Sequence, residues 1–182
     1  MPKNVSSSSA LIVDSQLGEI SHHREIVGAL SFDKIDVASS VNMALSYLRS
    51  VRYDLLLVSY DLGKGQKNGL QVIQEALAEH LPLHRTVTVL LTNPDVSLLV
   101  GSLSAAPDIY LAKPLSRDRL APRLEKIQRV KRAVYRVEEA MDQQEWNKAL
   151  IYCEKLASFY PALASYLDRM SGICFLALQD YS

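Results

Sequence analysis

The chain has 182 residues, 48% apolar and 22% charged, and its 20 basic and 20 acidic side chains leave a formal net charge of zero. Such values fit a globular chain with room for one ordinary domain and a smaller piece. They exclude a global electrostatic pull toward nucleic acid or an anionic membrane. No apolar run reaches the roughly 18 residues that span a bilayer, and residues 1–9 lack the apolar core of a signal peptide and read as a disordered tail. The expected location is the cytoplasm.

In chain order, residues 10–14 form a short apolar run ending in Asp14, as expected of a strand buried on both faces. Residues 17–30 follow at helical spacing. Residues 34–38 read as a second strand and residues 40–51 as a helix with Ser40 as N-cap. Residues 55–59 are a third strand, 70–81 a third helix, 86–92 a fourth strand and 95–103 a short helix. Residues 108–112 make a fifth strand, closed by Lys113-Pro114, where proline ends the pairing.

This alternation predicts a parallel sheet with helices on both faces. Functional groups in such a sheet gather outside the carboxyl ends of the strands. Asp14, Ser15, Ser59, Asp61, Thr92 and Lys113 belong there. From about residue 116 onward the alternation stops. Residues 120–141, 146–159 and 162–178 all read as helix, with Pro161 separating the last two.

The strand-end residues give residues 10–127 a resemblance to the receiver domain of two-component response regulators. In that family two acids follow the first strand, an aspartate the third, Thr or Ser the fourth, and Lys-Pro the fifth. The matching positions here are Asp14-Ser15, Ser59, Thr92 and Lys113-Pro114. Tyr110 matches the aromatic whose rotation reports phosphorylation. The resemblance implies a flavodoxin-like α/β fold and a site in which an aspartyl carboxylate takes a phosphoryl group. Carboxylate-held Mg²⁺ neutralises charge there, and lysine and hydroxyl hold the phosphoryl oxygens.

Two anionic parts of that site are replaced. Ser15 stands where the principal metal-binding acid falls, and Ser59 stands at the acceptor position. A serine hydroxyl stays protonated at neutral pH and needs an adjacent base to attack phosphorus. On this reading the site is degenerate, Lys113 pairs with Asp14, and neither catalysis nor a cofactor is expected. The alternative acceptor is Asp61. It lies on the same side of an extended strand as Ser59, and its spacing to Gly69 matches the family's spacing from acceptor to loop glycine. In that alternative Asp14 and Asp61 hold Mg²⁺ weakly, Thr92 and Lys113 hold the phosphoryl group, and Tyr110 turns inward.

The helical part carries Trp146, Ala149, Cys153, Leu156 and Pro161 at a spacing that resembles the second half of a tetratricopeptide repeat. Tyr181 follows Trp146 by 35 residues, close to the roughly 34-residue period of that repeat. Residues 128–182 are therefore expected to be a helical linker and a repeat truncated at its C-terminus. Its apolar face of Leu167, Met170, Cys174 and Leu178 is expected to be exposed and to seek a partner.

Other features have plain readings. His22 and His23 diverge by about 100° on a helix and read as surface. Lys126, Arg129, Lys131, Arg132 and Arg136 read as a solvated face, flanked as they are by Glu125, Glu138 and Glu139. Gly63-Lys64-Gly65 reads as a loop, and Cys153 and Cys174 as buried free thiols.

The expected protein is thus a two-component signalling regulator, not an enzyme, that binds proteins through its receiver and repeat surfaces. Its partners would be a sensor kinase, another regulator, a repeat ligand or a second copy, with no nucleic acid or membrane contact. Behind this stand the Asp61 switch and, third, a transcription regulator whose effector domain lies outside this chain.

Overall fold

The structure is a computed structural model and describes residues 8–79, 81, 83, 85–93 and 107–180. Its elements are β1 (Ser9–Val13), α1 (Leu17–Gly28), β2 (Lys34–Ala38), α2 (Val41–Ser50), β3 (Leu55–Ser59), α3 (Gly69–Ala78), β4 (Val87–Thr92) and β5 (Ile109–Ala112). Then come α4 (Arg117–Asp142), α5 (Trp146–Phe159), a 3-10 turn at Pro161–Leu163, and α6 (Ala164–Asp180). The helix expected at 95–103 lies outside the described residues, as does most of the expected tail. Ser9, assigned to that tail, instead opens β1.

All five strands pair in parallel, in the order β2-β1-β3-β4-β5. This is the flavodoxin-like order, with a topological switch point between β1 and β3. β3 and β4 are buried at every position, because helices cover both faces. Successive side chains alternate between those faces. Leu11, Val13, Leu56, Val58 and Leu90 join Val41, Leu45, Leu48, Val72 and Ile73 in the core beneath α2 and α3. Ala10, Ile12, Leu55, Leu57 and Leu91 meet Val27, Leu120 and Leu124 in the core beneath α1 and the start of α4.

Local signals set the helix starts. The Ser40 side chain accepts from the Met43 amide, capping α2. Asn68 and Gln71 form a reciprocal capping box at α3, with both bonds 2.9 Å.

The chain divides between Gln128 and Arg129 into two compact units, and α4 supplies residues to each. In the second unit Val137, Ala140, Ala149, Cys153, Leu167 and Cys174 form one buried cluster, with Trp146, Leu156 and Met170 packed against it. Ala149 is wholly buried where α5 meets its neighbours, and Pro161 opens the turn before α6. Both cysteines are free and buried, and burial pushes both thiols up, away from thiolate chemistry.

The expected exposed face of α6 is corrected here. Leu167 and Cys174 point into the cluster, and Ile173, Phe175 and Leu176 are the exposed apolar residues instead. The i, i+3, i+7 stripe from Leu167 found its cover within the unit itself.

Gly69 locks α3 against the end of β3. A Cβ there would lie 2.6 Å from Val58 Cγ1 and closer still to the Ser59 carbonyl oxygen, whereas a Cβ at Gly172 would meet nothing. Gly69→Ala should therefore destabilise the protein by about 1–3 kcal/mol and Gly172→Ala stabilise it by up to about 1 kcal/mol, as read by urea denaturation.

Candidate functional site

The register of β1 on β3 pairs Val13 with Val58. The next residues, Asp14 and Ser59, therefore emerge side by side at the switch point. Both are buried, Asp14 completely. A carboxylate taken out of water needs every lone pair used, and Asp14 finds its partners. Its Oδ1 accepts from the Gln16 amide at 2.9 Å. Its Oδ2 accepts from the Ser59 hydroxyl and, at 3.0 Å, from the Lys113 ammonium.

Lys113 reaches the site because β5 ends beside β4, where its amide donates to the Thr92 carbonyl at 2.7 Å. The ammonium also lies 3.3 Å from Glu19 Oε2 on α1. One turn on, the His23 ring is buried, with Nε2 3.3 Å from Glu19 and Nδ1 3.9 Å from Asp14. Neither His23 nitrogen makes a well-formed hydrogen bond among the described residues.

The surface reading of His23 is therefore corrected. Adjacent histidines do diverge, and that divergence sends only His22 outward, where its Nε2 lies 3.1 Å from the Leu115 carbonyl. Glu19 and His23 were missed as members of the site. The signal that finds them is the i, i+4 step that puts both on the helix face over Asp14.

Burial pushes the His23 imidazole below its ordinary value of 6.5. The Lys113 ammonium adds to that, and the Asp14 and Glu19 carboxylates oppose it.

The remaining candidates divide. Thr92 is buried at the end of β4, on the same rim. Tyr110 is half-buried on β5 against the α2–α3 core. Asp61 does not join the cluster. β3 ends at Ser59, so the extension that would carry Asp61 to the site is not made. Asp61 is exposed, and its Oδ1 accepts from the Gly63 amide at 2.9 Å. That is an Asx turn in a loop where Gly63 and Gly65 both take positive φ.

Magnesium prefers an octahedron of oxygens drawn from carboxylates and water. Here the ends of β1 and β3 offer one carboxylate, already bonded through both oxygens, with an ammonium as its counter-ion. That donor set does not fit Mg²⁺. Asp14, Glu19 and His23 do bring one ligand atom each within 4.8 Å of one another. The Lys113 ammonium lodges between the two carboxylates of that trio.

No family model matches the chain, and neither does any curated protein. Solved structures do. A CheY-like response regulator receiver domain from Methylobacillus flagellatus is 25% identical, with a TM-score of 0.57, over 67% of this chain and 99% of that one. A sensor protein from Polaromonas sp. JS666 is 17% identical, with a TM-score of 0.60, over 68% and 98%. The first unit has the receiver fold. A third neighbour, the receiver domain of a sensor histidine kinase from Pseudomonas aeruginosa, has a magnesium ion coordinated in its active-site cleft. It is 20% identical, with a TM-score of 0.56, over 66% of this chain and 97% of that one. In the present chain the ends of β1, β3 and β5 carry the Asp14–Ser59–Lys113 cluster.

Two measurements probe this cluster. Lys113→Met leaves a buried carboxylate without its counter-ion and should cost about 3–5 kcal/mol in denaturant unfolding. The double variant with Asp14→Asn should recover much of that loss. His23 binds protons less readily folded than unfolded. Its neutral form therefore contributes stability that is full above pH 6.5 and is lost as the pH falls below that value. A His23→Gln variant should remove this part of the slope when its stability is compared with wild type across pH.

Proposed function

We propose that the protein is a two-component signalling regulator whose receiver unit keeps the fold without the phosphorylation chemistry, and that it acts by binding other proteins. The observation that carries this reading is the bonding of Asp14. Its carboxylate accepts from the Ser59 hydroxyl where the family places an acidic acceptor, and Lys113 is its counter-ion.

A serine hydroxyl becomes a nucleophile only with a general base at hand. Among the described residues Asp14 is the one carboxylate bonded to Ser59, and the same oxygen is already engaged by the Lys113 ammonium. The ion pair also stands in for the metal that would otherwise neutralise the site. On this reading the receiver is held in one state by its own side chains, and input comes through a partner.

The second unit supports the same class of function. The packing of Ala149, Cys153 and Leu156 around one core agrees with a tetratricopeptide-type helical hairpin, an element that presents surfaces to protein segments. The receiver surface formed by β5 and the start of α4 is the other docking face proposed. There Arg119 and Arg123 donate to the carbonyls of Ala112 and Tyr110, at 3.0 and 3.1 Å. A sensor kinase, another regulator or a second copy of the chain would dock on it.

Intact-mass analysis after incubation with acetyl phosphate and Mg²⁺ tests the reading, with Asp61→Asn and Ser59→Ala variants run alongside. No adduct on any of the three is expected. An adduct lost in Asp61→Asn would make the exposed loop aspartate a working acceptor and the protein a phosphorylation switch. An adduct lost in Ser59→Ala would make the serine itself the acceptor, and would equally overturn the proposal.

A further inference from the structure

The helical unit carries a groove of about 640 Å³ between the face of α4 around Ala133 and the C-terminal end of α5. Four cations line it: Arg129, Arg132 and Arg136 from α4 and Lys155 from α5. The arginines step by three and four residues, so they share one helix face, in a row about 10 Å long at 1.5 Å per residue. All four are exposed, and none makes an ion pair or side-chain hydrogen bond among the described residues.

Two acids of the same helix that follow Arg136 bond to tyrosine hydroxyls. Glu138 accepts from the Tyr166 hydroxyl at 2.8 Å and Glu139 from the Tyr135 hydroxyl at 2.7 Å. Among the described residues no carboxylate lines the groove. Its remaining wall is apolar and aromatic, built from Tyr152, Leu156, Phe159 and Tyr160, and Phe159 is 77% exposed. An exposed phenylalanine beside a row of uncompensated arginines is an unusual surface, and aromatic and arginine side chains are the types that anchor interfaces.

We propose that this groove binds an acidic protein segment that inserts an apolar side chain against Phe159 and Tyr160 while its carboxylates meet the arginines. The inference rests on the reading of the helical unit as a protein-binding element, and it supplies the chemistry of the partner. Guanidinium forks pair with carboxylates through two parallel bonds, and a charged row of this length matches two or three acids at helical or extended spacing.

Two other occupants fit less well. A nucleic-acid backbone is a long polyanion, and this chain has no net charge to attract one. A small phosphate compound needs an enclosed site with converging buried donors, whereas these cations are all on the surface.

The test is fluorescence anisotropy on the full chain with three labelled fifteen-residue probes. The probes share their leucine and phenylalanine content and carry six Glu, six Ser or six Lys, and a labelled dT15 oligonucleotide is run beside them. Binding of the Glu probe alone is expected. It should weaken with added salt and fall at least about tenfold in an Arg132→Glu/Arg136→Glu variant. Phe159→Ser, which changes an exposed side chain, should weaken binding without altering the thermal melt.

Equal or tighter binding of the Ser or Lys probe would leave a peptide-binding unit but overturn the acidic partner. Preference for dT15 would replace it with a nucleic acid. Binding of the Glu probe that is unchanged in both variants would move the site elsewhere. No binding of any probe would overturn both the inference and the protein-binding reading of this groove.

Discussion

A single wholly buried carboxylate organises the strand-end face of the receiver unit. Asp14 has no exposed surface, and leaving such a charge unpaired would cost several kcal/mol. Every feature of the rim meets that demand. The turn after β1 brings the Gln16 amide to one oxygen, the register of β3 brings the Ser59 hydroxyl to the other, and β5 delivers Lys113 as counter-ion. The arrangement closes only because all five strands run in parallel and end on the same side.

On the proposed reading, the same constraint accounts for a strand-end site without phosphorylation chemistry. With two more acids at these positions, the rim would hold an excess of negative charge and call for a divalent cation. With serine at positions 15 and 59, one lysine suffices to balance Asp14. Glu19 and His23 then complete a ring of polar groups in which His23 is kept neutral by burial and by the neighbouring ammonium. The strand ends hold an ion pair between Asp14 and Lys113, and the proposed role of the protein, binding without phosphorylation chemistry, rests on that pair. The helical unit works by a different balance, burying its small and thiol-bearing residues while leaving arginines and an aromatic side chain at its surface.

Much of this was legible from the residues. Period-two and period-3.6 patterns recovered the described strands and helices, because fully apolar runs of five or six residues between helical stretches have few other packings. Ser40 announced α2 by its capping chemistry. The expected pairing of Lys113 with Asp14 followed from charge alone, since the Lys-Pro step and the acid after β1 sit at the same edge of a parallel sheet. Asp61 was harder. Alternation puts it on the side of Ser59 only while the strand stays extended, and the Asx turn with Gly63 bends the chain away first.

By itself the sequence determined the order of the described elements, the parallel sheet, the presence of serine at positions 15 and 59, and the mainly helical character of the described residues from α4 onward. These depend on local periodicity, capping and residue type, which are written along the chain. Only the tertiary structure decided that His23 is buried, that Glu19 shares Lys113 with Asp14, and that Leu167 and Cys174 face inward. It alone gathered Arg129, Arg132, Arg136 and Lys155 around one groove. Each of those facts depends on which face of a helix meets which neighbour. A helix with polar and apolar residues on several sides leaves that choice to packing between elements far apart in the chain.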